Sequence, residues 1–185
     1  MTNSARPKVI VLGGTAGTGK STIGERLVKF FQDKYPEIQF LEGDRIHPPE
    51  NVAKMAHGIP LTDDDRWGWL ADVAKISTAS AEEHGGLAII SCSSLKKKYR
   101  DFMREKSPNT DFFFLFLYAD MRVIAHRLTQ REGHFMKANM LESQFKDLEL
   151  PNSDEPNCHV VDVDGKDVEQ VLQHTYEDLC KFVPN

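Results

Sequence analysis

The sequence predicts an α/β fold in which a parallel β-sheet lies between helical layers. Three observations carry that prediction. Five short runs rich in β-branched and aromatic residues recur along the chain, each is apolar at consecutive rather than alternate positions, and helix-length segments separate them. A strand covered on both faces needs apolar side chains at every position, which is the mark of a parallel sheet built from strand–helix–strand units.

The first run, Val9 to Leu12, leads into GTAGTGKS, residues 14–21. This G-x-x-x-x-G-K-[ST] pattern between a strand and a helix is a phosphate-binding loop. Its glycines let backbone N–H groups turn inward around a phosphate, and the helix opening near Lys20 adds the positive end of its dipole. Lys20 can neutralise β- and γ-phosphate oxygens, while the Ser21 hydroxyl is placed to ligate Mg²⁺. The helix is expected from Lys20 to about Lys34, with Ile23, Leu27, Phe30 and Phe31 on one stripe, before Pro36 closes the connection. The loop alone establishes nucleotide phosphate binding, since kinases, switch GTPases and mechanical ATPases all use it.

The second run, Ile38 to Leu41, ends in LEGDRIHP, residues 41–48. In an open parallel sheet, ligands gather beyond the carboxyl ends of the strands. If the strand continues to Asp44, the two-residue period points Glu42 and Asp44 to the same side. One acid could then hold Mg²⁺ or its water while the other accepts a hydroxyl proton; a solvated strand-end turn is the plainer alternative. His47 offers a polar contact to substrate, and Pro48 opens the next helix. In GIPLTDDDRWGWL, residues 58–70, Thr62 and Asp65 form a capping-box pattern, and the acids at 63–65 suit a helix start. Trp69 and Leu70 look like core, and Arg66 reaches either the same pocket or a surface ion pair.

The third run, Leu87 to Ile90, passes into SCSS, residues 91–94, with no Asp where a Walker B acid would follow an apolar strand. That leaves the metal-side acid to Glu42 or Asp44 and argues against a switch or motor ATPase. SLKKKYRD, residues 94–101, then puts Lys96 and Arg100 on one helix face. They form either a solvated basic face or a clamp for a carboxylate, with Arg100 two-pronged and Lys96 a point charge. After the fourth run, Phe112 to Tyr118, the segment RVIAHRLTQREGHFMK carries Arg127 and Arg131 one turn apart before Gly133. The pair suits a lid over the nucleotide, spanning about 127–148, or simply an exposed helix end. His47, His57 and His134 show no metal-ligand spacing. PNSDEP, residues 151–156, reads as a surface loop before the last run, His159 to Val163, and the final helix is expected from Val168 to Phe182.

At 185 residues the chain is expected to form one domain, 1–185, with a core large enough to need no staples. With 23 Lys+Arg against 28 Asp+Glu the formal charge is −5, and no long basic block is present, so a nucleic-acid surface is not expected and a small soluble substrate is. The three cysteines, Cys92, Cys158 and Cys180, form no Cys-x-x-Cys pair, which points to a reducing cytoplasm. The N-terminus lacks a signal-peptide-like apolar stretch, and FFFLFLY is too short to span a membrane, so no membrane association is expected.

From about Val9 to Asp164 the chain resembles the gluconokinases of the small phosphate-loop kinase type. The resemblance rests on GTAGTGKST, LEGDRIHPPENVAKMAHGIPLTDDDR, SCSSLKKKYRD, and RLTQREGHF followed by SQFKDLE, in that order and spacing. It implies transfer of the γ-phosphoryl of ATP to the 6-hydroxyl of D-gluconate, giving 6-phosphogluconate for the pentose phosphate pathway. It also implies a nucleoside-monophosphate-kinase-like fold with strand order 2-3-1-4-5, a mobile lid and often a homodimer. By matching position, Gly14, Thr15, Ala16, Gly17, Thr18, Gly19, Lys20, Ser21 and Thr22 bind ATP and Mg²⁺, Asp44 approaches the acceptor hydroxyl, and Arg127 and Arg131 belong to the lid. Lys96 and Arg100 match the acceptor-side block. Many relatives have Asp at the position of Glu42 and Ala at that of Ser94, so Glu42 stands between a metal-water ligand and a structural acid.

Overall fold

The structure, a computed structural model, describes residues 5–131 and 138–184. Gly133, His134 and the middle of the expected lid lie outside the described residues. In chain order the elements are β1 (Lys8–Gly13), α1 (Lys20–Phe31), β2 (Gln39–Glu42), a 3₁₀ turn (Gly43–Ile46), α2 (Pro49–Ala56), α3 (Asp63–Glu83), β3 (Leu87–Ser91), α4 (Lys97–Lys106), β4 (Asp111–Tyr118), α5 (Met121–Thr129), α6 (Ala138–Asp147), β5 (Cys158–Asp162) and α7 (Val168–Phe182). The five strands form one parallel sheet in the order β2-β3-β1-β4-β5. Among the described residues no helix is long and apolar enough to cross a membrane.

Alternation along the strands divides the core in two. Ile10 and Leu12 of β1 pack with Ile23, Leu27 and Phe31 of α1 and with Val171, Leu172 and Leu179 of α7. Val9 and Val11 face the other way, against Trp69, Leu70 and Val73 of α3 and Tyr99 and Met103 of α4. The run FFFLFLY splits the same way, with Phe113, Leu115 and Leu117 on the α1/α7 side and Phe112, Phe114 and Phe116 on the α3/α4 side. Continuous apolar runs are therefore two interleaved faces, each buried by its own helical layer.

Three details differ from the sequence reading. α1 ends at Phe31 rather than near Lys34, and Phe30 is 40% exposed, its ring against Tyr176 rather than in the core. The helix after LEGDRIHP begins at Pro49, with Pro48 as its cap. β2 stops at Glu42, and Asp44 belongs to the 3₁₀ turn instead of an extended strand. Gly43 explains the last point: a Cβ there would lie 2.1 Å from the Ser91 carbonyl oxygen, so the backbone can press against the end of β3 and turn only because the side chain is absent.

Arg100 requires a correction. It is 1% exposed, and its guanidinium is saturated by the protein. Nε and Nη2 grip the Glu155 carboxylate at 2.6 and 2.7 Å, Nη1 donates to the carbonyls of Ser94 and Leu95 at 2.9 and 3.2 Å, and Nη2 also donates to the Glu149 carbonyl at 3.0 Å. Five N–H groups meet five contacts, so nothing remains for a substrate carboxylate. The residue pins α4 to the loop before β5, and PNSDEP is accordingly not wholly a surface loop, because its Glu155 is buried. Burial acts to raise the Glu155 pKa, but the hydrogen bonds and charge of Arg100 outweigh it and hold the carboxyl below its ordinary range.

Removing one partner of this pair strands a buried charge. Glu155→Gln should therefore cost about 3–5 kcal/mol in chemical denaturation at neutral pH. Because the folded-state pKa of Glu155 is depressed, its contribution is present above the ordinary value of 4.5 and fades as pH falls below it; the deficit of the variant should shrink in acid, and a pH-independent deficit would contradict the assignment. Gly43→Ala should cost about 1–3 kcal/mol by overpacking the β2–β3 junction; an unchanged denaturation midpoint would show that the close approach is not needed.

Candidate active site

The phosphate loop lies between β1 and α1. Gly14, Gly17 and Gly19 have φ of +122°, +80° and +95°, which L side chains rarely adopt. Gly14 is also crowded: a Cβ would lie 2.4 Å from the Leu117 carbonyl oxygen. The Gly14 N–H donates to the Ser93 carbonyl at 3.2 Å, tying the loop to the chain beyond β3. Thr18 Oγ1 donates to the Thr15 carbonyl at 3.2 Å. α1 begins after Gly19 with no side-chain cap and no acid in its first turn, so its first N–H groups face the loop with the favourable dipole for an anion. Ser21 and Thr22 occupy that first turn.

Lys20 donates to the carbonyls of Gly14 and Thr15 at 2.9 and 2.6 Å. Burial lowers its pKa, and the nearby carboxylates of Asp44 and Glu42 act in the opposite direction. The two acids of LEGDRIHP are thus both close enough to be felt at the ammonium of the phosphate loop, although they do not share a strand. Asp44 is the open member, its side chain 82% exposed. The Cys92 thiol is pushed up to about 12, mainly by burial, and stays protonated.

His47 is held firmly. Its side chain is 4% exposed, its ring stacks on Trp69 at 4.0 Å, and Trp69 Nε1 donates to the Gly43 carbonyl at 2.9 Å. The buried Asn51 amide sets the tautomer: Nδ2 donates to the Asp65 carbonyl at 2.8 Å, which fixes the amide orientation, and lies 3.1 Å from His47 Nδ1. Nδ1 must then accept, and the proton resides on Nε2, 4.0 Å from Asp44 Oδ1. Burial lowers the His47 pKa, Asp44 opposes and Arg66 assists, so the ring is neutral at neutral pH.

The cations around it form a chain of ion pairs. Arg66 Nη1 donates to Tyr99 Oη at 2.9 Å and to Asp147 Oδ2 at 3.0 Å. Lys96 Nζ lies 2.9 Å from Asp63 Oδ1 and 3.5 Å from Asp147 Oδ1. Asp63 also accepts from Lys98 and Tyr99. Hydrogen bonds from Lys98, Tyr99 and Lys96 hold Asp63 well below the ordinary carboxylate range; the Asp63 contact raises Lys96, and burial together with Asp63 pushes Tyr99 up to about 12. Asp65 is pulled down to about 2, first by Lys54, and completes the capping box with Thr62 at 2.8 and 3.3 Å. Asp65 is therefore structural, and Asp63 ties Lys96, Lys98 and Tyr99 together.

His47, Leu61, Arg66, Trp69, Ser93 and Gln144 line a small cleft, about 40 Å³ in volume, beside the phosphate loop. Lys96 joins it through Asp147, whereas Arg100 faces away into the core. α5 packs against the loop, for a Cβ on Gly17 would meet Ile124 and Leu128 at 3.0 and 3.2 Å. Arg127 on that helix donates from Nη2 to the Val163 carbonyl at 2.8 Å, while Arg131 lies past the helix end and is exposed. The two arginines therefore do not act as one helix face. Glu42 and Ser21 are hard oxygen donors at the ends of β2 and the phosphate loop, of the kind Mg²⁺ takes alongside nucleotide phosphates and water. Among the described residues no cluster of three or more His, Cys, Asp or Glu side chains could hold a metal ion alone.

Gln144, Asp147, Asn51 and Tyr99 belong to this neighbourhood although composition and spacing did not single them out. A distant helix supplies the first two, and only the motif SQFKDLE marks it in the sequence. Asn51 was hidden as one polar residue in a helix, and its role depends on a backbone carbonyl brought from α3.

Comparisons with known proteins agree with this geometry. Residues 6–149 match the adenylylsulphate kinase family. The chain is 57% identical over 182 residues to a probable gluconokinase of Saccharomyces cerevisiae, covering 96% of this chain and 93% of that protein. It is 40% identical over 173 residues to the thermoresistant gluconokinase of Escherichia coli K12, covering 94% of each. The crystal structure of a gluconokinase from Sinorhizobium meliloti superimposes with a TM-score of 0.79 at 38% identity, covering 96% of this chain and 94% of that one. With a complete phosphate loop, an acid facing it and near full-length identity at this level, the chain belongs to the gluconokinase family of ATP-dependent phosphate-loop kinases.

Proposed function

We propose that the protein transfers the γ-phosphoryl of ATP to the 6-hydroxyl of D-gluconate, giving 6-phosphogluconate and ADP for the pentose phosphate pathway. The observation that carries this reading is the Asp147 carboxylate lodged between Arg66 and Lys96, 3.0 and 3.5 Å away, at the rim of the cleft. A subsite already filled by a carboxylate suits the carboxylate of a sugar acid, which would exchange with Asp147 or bind beside it. The phosphate loop lies on the other side of the cleft, so a linear acceptor anchored at one end presents its far hydroxyl to the phosphoryl group.

In this arrangement Asp44 accepts the proton of the hydroxyl as it attacks, and His47 donates from Nε2 to a substrate oxygen. Lys20 leaves the Gly14 and Thr15 carbonyls for the phosphate oxygens, where Gly14 to Thr22 supply N–H and hydroxyl donors. Arg127 and Arg131 add positive charge on the nucleotide side. Ser21 and Glu42 would hold Mg²⁺, which supplies electrostatic neutralisation of the phosphates when bound. Lys96 and Arg66 take the acceptor carboxylate, and Arg100 plays no part in it. The reaction belongs in the cytoplasm, in one domain spanning 1–185 with a lid near 127–148 and with a homodimer as its assembly.

An ADP-release assay with ATP and Mg²⁺ over gluconate, other aldonates, shikimate and nucleoside monophosphates tests the substrate. Gluconate should be the preferred acceptor, and turnover with none of the sugar acids would overturn the proposal. Asp44→Asn should lower kcat by about 10²–10⁴ with little change in nucleotide affinity; full turnover would make Asp44 a turn residue. Lys96→Ala should raise the gluconate KM by about tenfold or more, while an unaffected KM would remove it from the carboxylate subsite. Asn51→Asp should reverse the His47 tautomer and raise its pKa, read by NMR titration, and an unmoved pKa would contradict the hydrogen-bond assignment.

A further inference from the structure

Gln144 on α6 touches the donor and acceptor subsites at once. Its Oε1 accepts the Ala16 N–H at 2.8 Å, and the same side chain lines the cleft with His47, Arg66, Trp69 and Ser93. Ala16 lies within the phosphate loop, whose N–H groups are donors for phosphate oxygens. An amide oxygen thus satisfies a donor of the loop at the cleft.

The residue type carries information. If the contact served only to tether α6 to the loop, Glu would do as well, because an N–H donates more strongly to a carboxylate than to an amide. α6 is also attached elsewhere, through Asp147 to Arg66 and through Asn139 Nδ2 to the Gly58 carbonyl at 2.9 Å. Unlike a carboxylate, an amide offers both an acceptor and donors, and its terminal torsion turns over at little cost. A carboxylate at the same point would face the γ-phosphoryl with like charge.

We propose that Gln144 is a discriminating residue at the junction of the two subsites. It holds the Ala16 N–H while the γ-phosphoryl is absent, and with ATP bound it turns Nε2 to a γ-phosphoryl oxygen beside the incoming hydroxyl. It thereby distinguishes ATP from ADP and fixes the phosphoryl group toward the acceptor. This inference rests on the kinase reading of the site, but not on gluconate being the acceptor.

Calorimetric titration of the whole protein with ADP and with a non-hydrolysable imido analogue of ATP, both with Mg²⁺ and without acceptor, tests it. Gln144→Glu should weaken the analogue by about tenfold or more and leave ADP within about threefold of the unaltered protein. Gln144→Ala should weaken the analogue less, again sparing ADP. Equal losses for both nucleotides, or analogue binding by Gln144→Glu as tight as in the unaltered protein, would reduce Gln144 to a tether and overturn the proposal. Should Gln144→Glu fail to melt cooperatively, Gln144→Ala decides alone: analogue weakened with ADP spared supports the assignment, and parallel changes refute it. Failure of the unaltered protein to phosphorylate gluconate would strike the proposed acceptor without touching this comparison.

Discussion

The site depends on how closely the loops after β1 and β2 can crowd the strands beside them, β4 and β3. Gly43 presses against the Ser91 carbonyl where any Cβ would collide, and Gly14 sits against the Leu117 carbonyl while donating to Ser93. β3 lies between β1 and β2 in the sheet, so the loops that follow those two strands converge on it from either side. One loop is the phosphate cradle and the other carries Asp44. Their approach puts the charges of Asp44 and Glu42 within reach of Lys20. Strand order thus becomes electrostatics through two residues without side chains.

Around this junction, charge falls into two classes that the sequence makes look alike. Arg100 and Glu155 are buried and mutually saturated, which makes them a structural pin whose removal strands a charge. Arg66, Lys96, Asp63 and Asp147 form a partly buried network of ion pairs beside a cleft. Tyr99 links its members, accepting from Arg66 and donating to Asp63. His47 belongs to neither class: burial lowers its pKa and keeps it neutral, and the Asn51 contact orients its ring.

Much of this was legible in the sequence. The apolar runs gave all five strands to within a residue or two, and the final helix falls on Val168–Phe182 as its periodicity implied. The phosphate loop, the capping box at Thr62 and the strand-end position of LEGDRIHP were local signals with local causes. What failed was long-range. Lys96 and Arg100 share a helix face by spacing, yet one turns to the cleft and the other to Glu155, a residue in a loop that looked solvent-exposed. Asp44 leaves the strand because of a steric contact with β3, which no periodicity encodes. Gln144 and Asp147 come to the site on a helix whose placement depends on the folded sheet.

The central claim is that these facing loops direct a phosphoryl group to the far hydroxyl of a sugar acid held by its carboxylate. ³¹P and ¹³C NMR of a mixture of the protein, Mg²⁺, ATP and D-gluconate examine it most directly. A single phosphomonoester should grow as the γ-phosphate signal falls, with its phosphorus coupled to carbon 6 of gluconate. Release of inorganic phosphate alone, or an ester at any other carbon, would contradict the account.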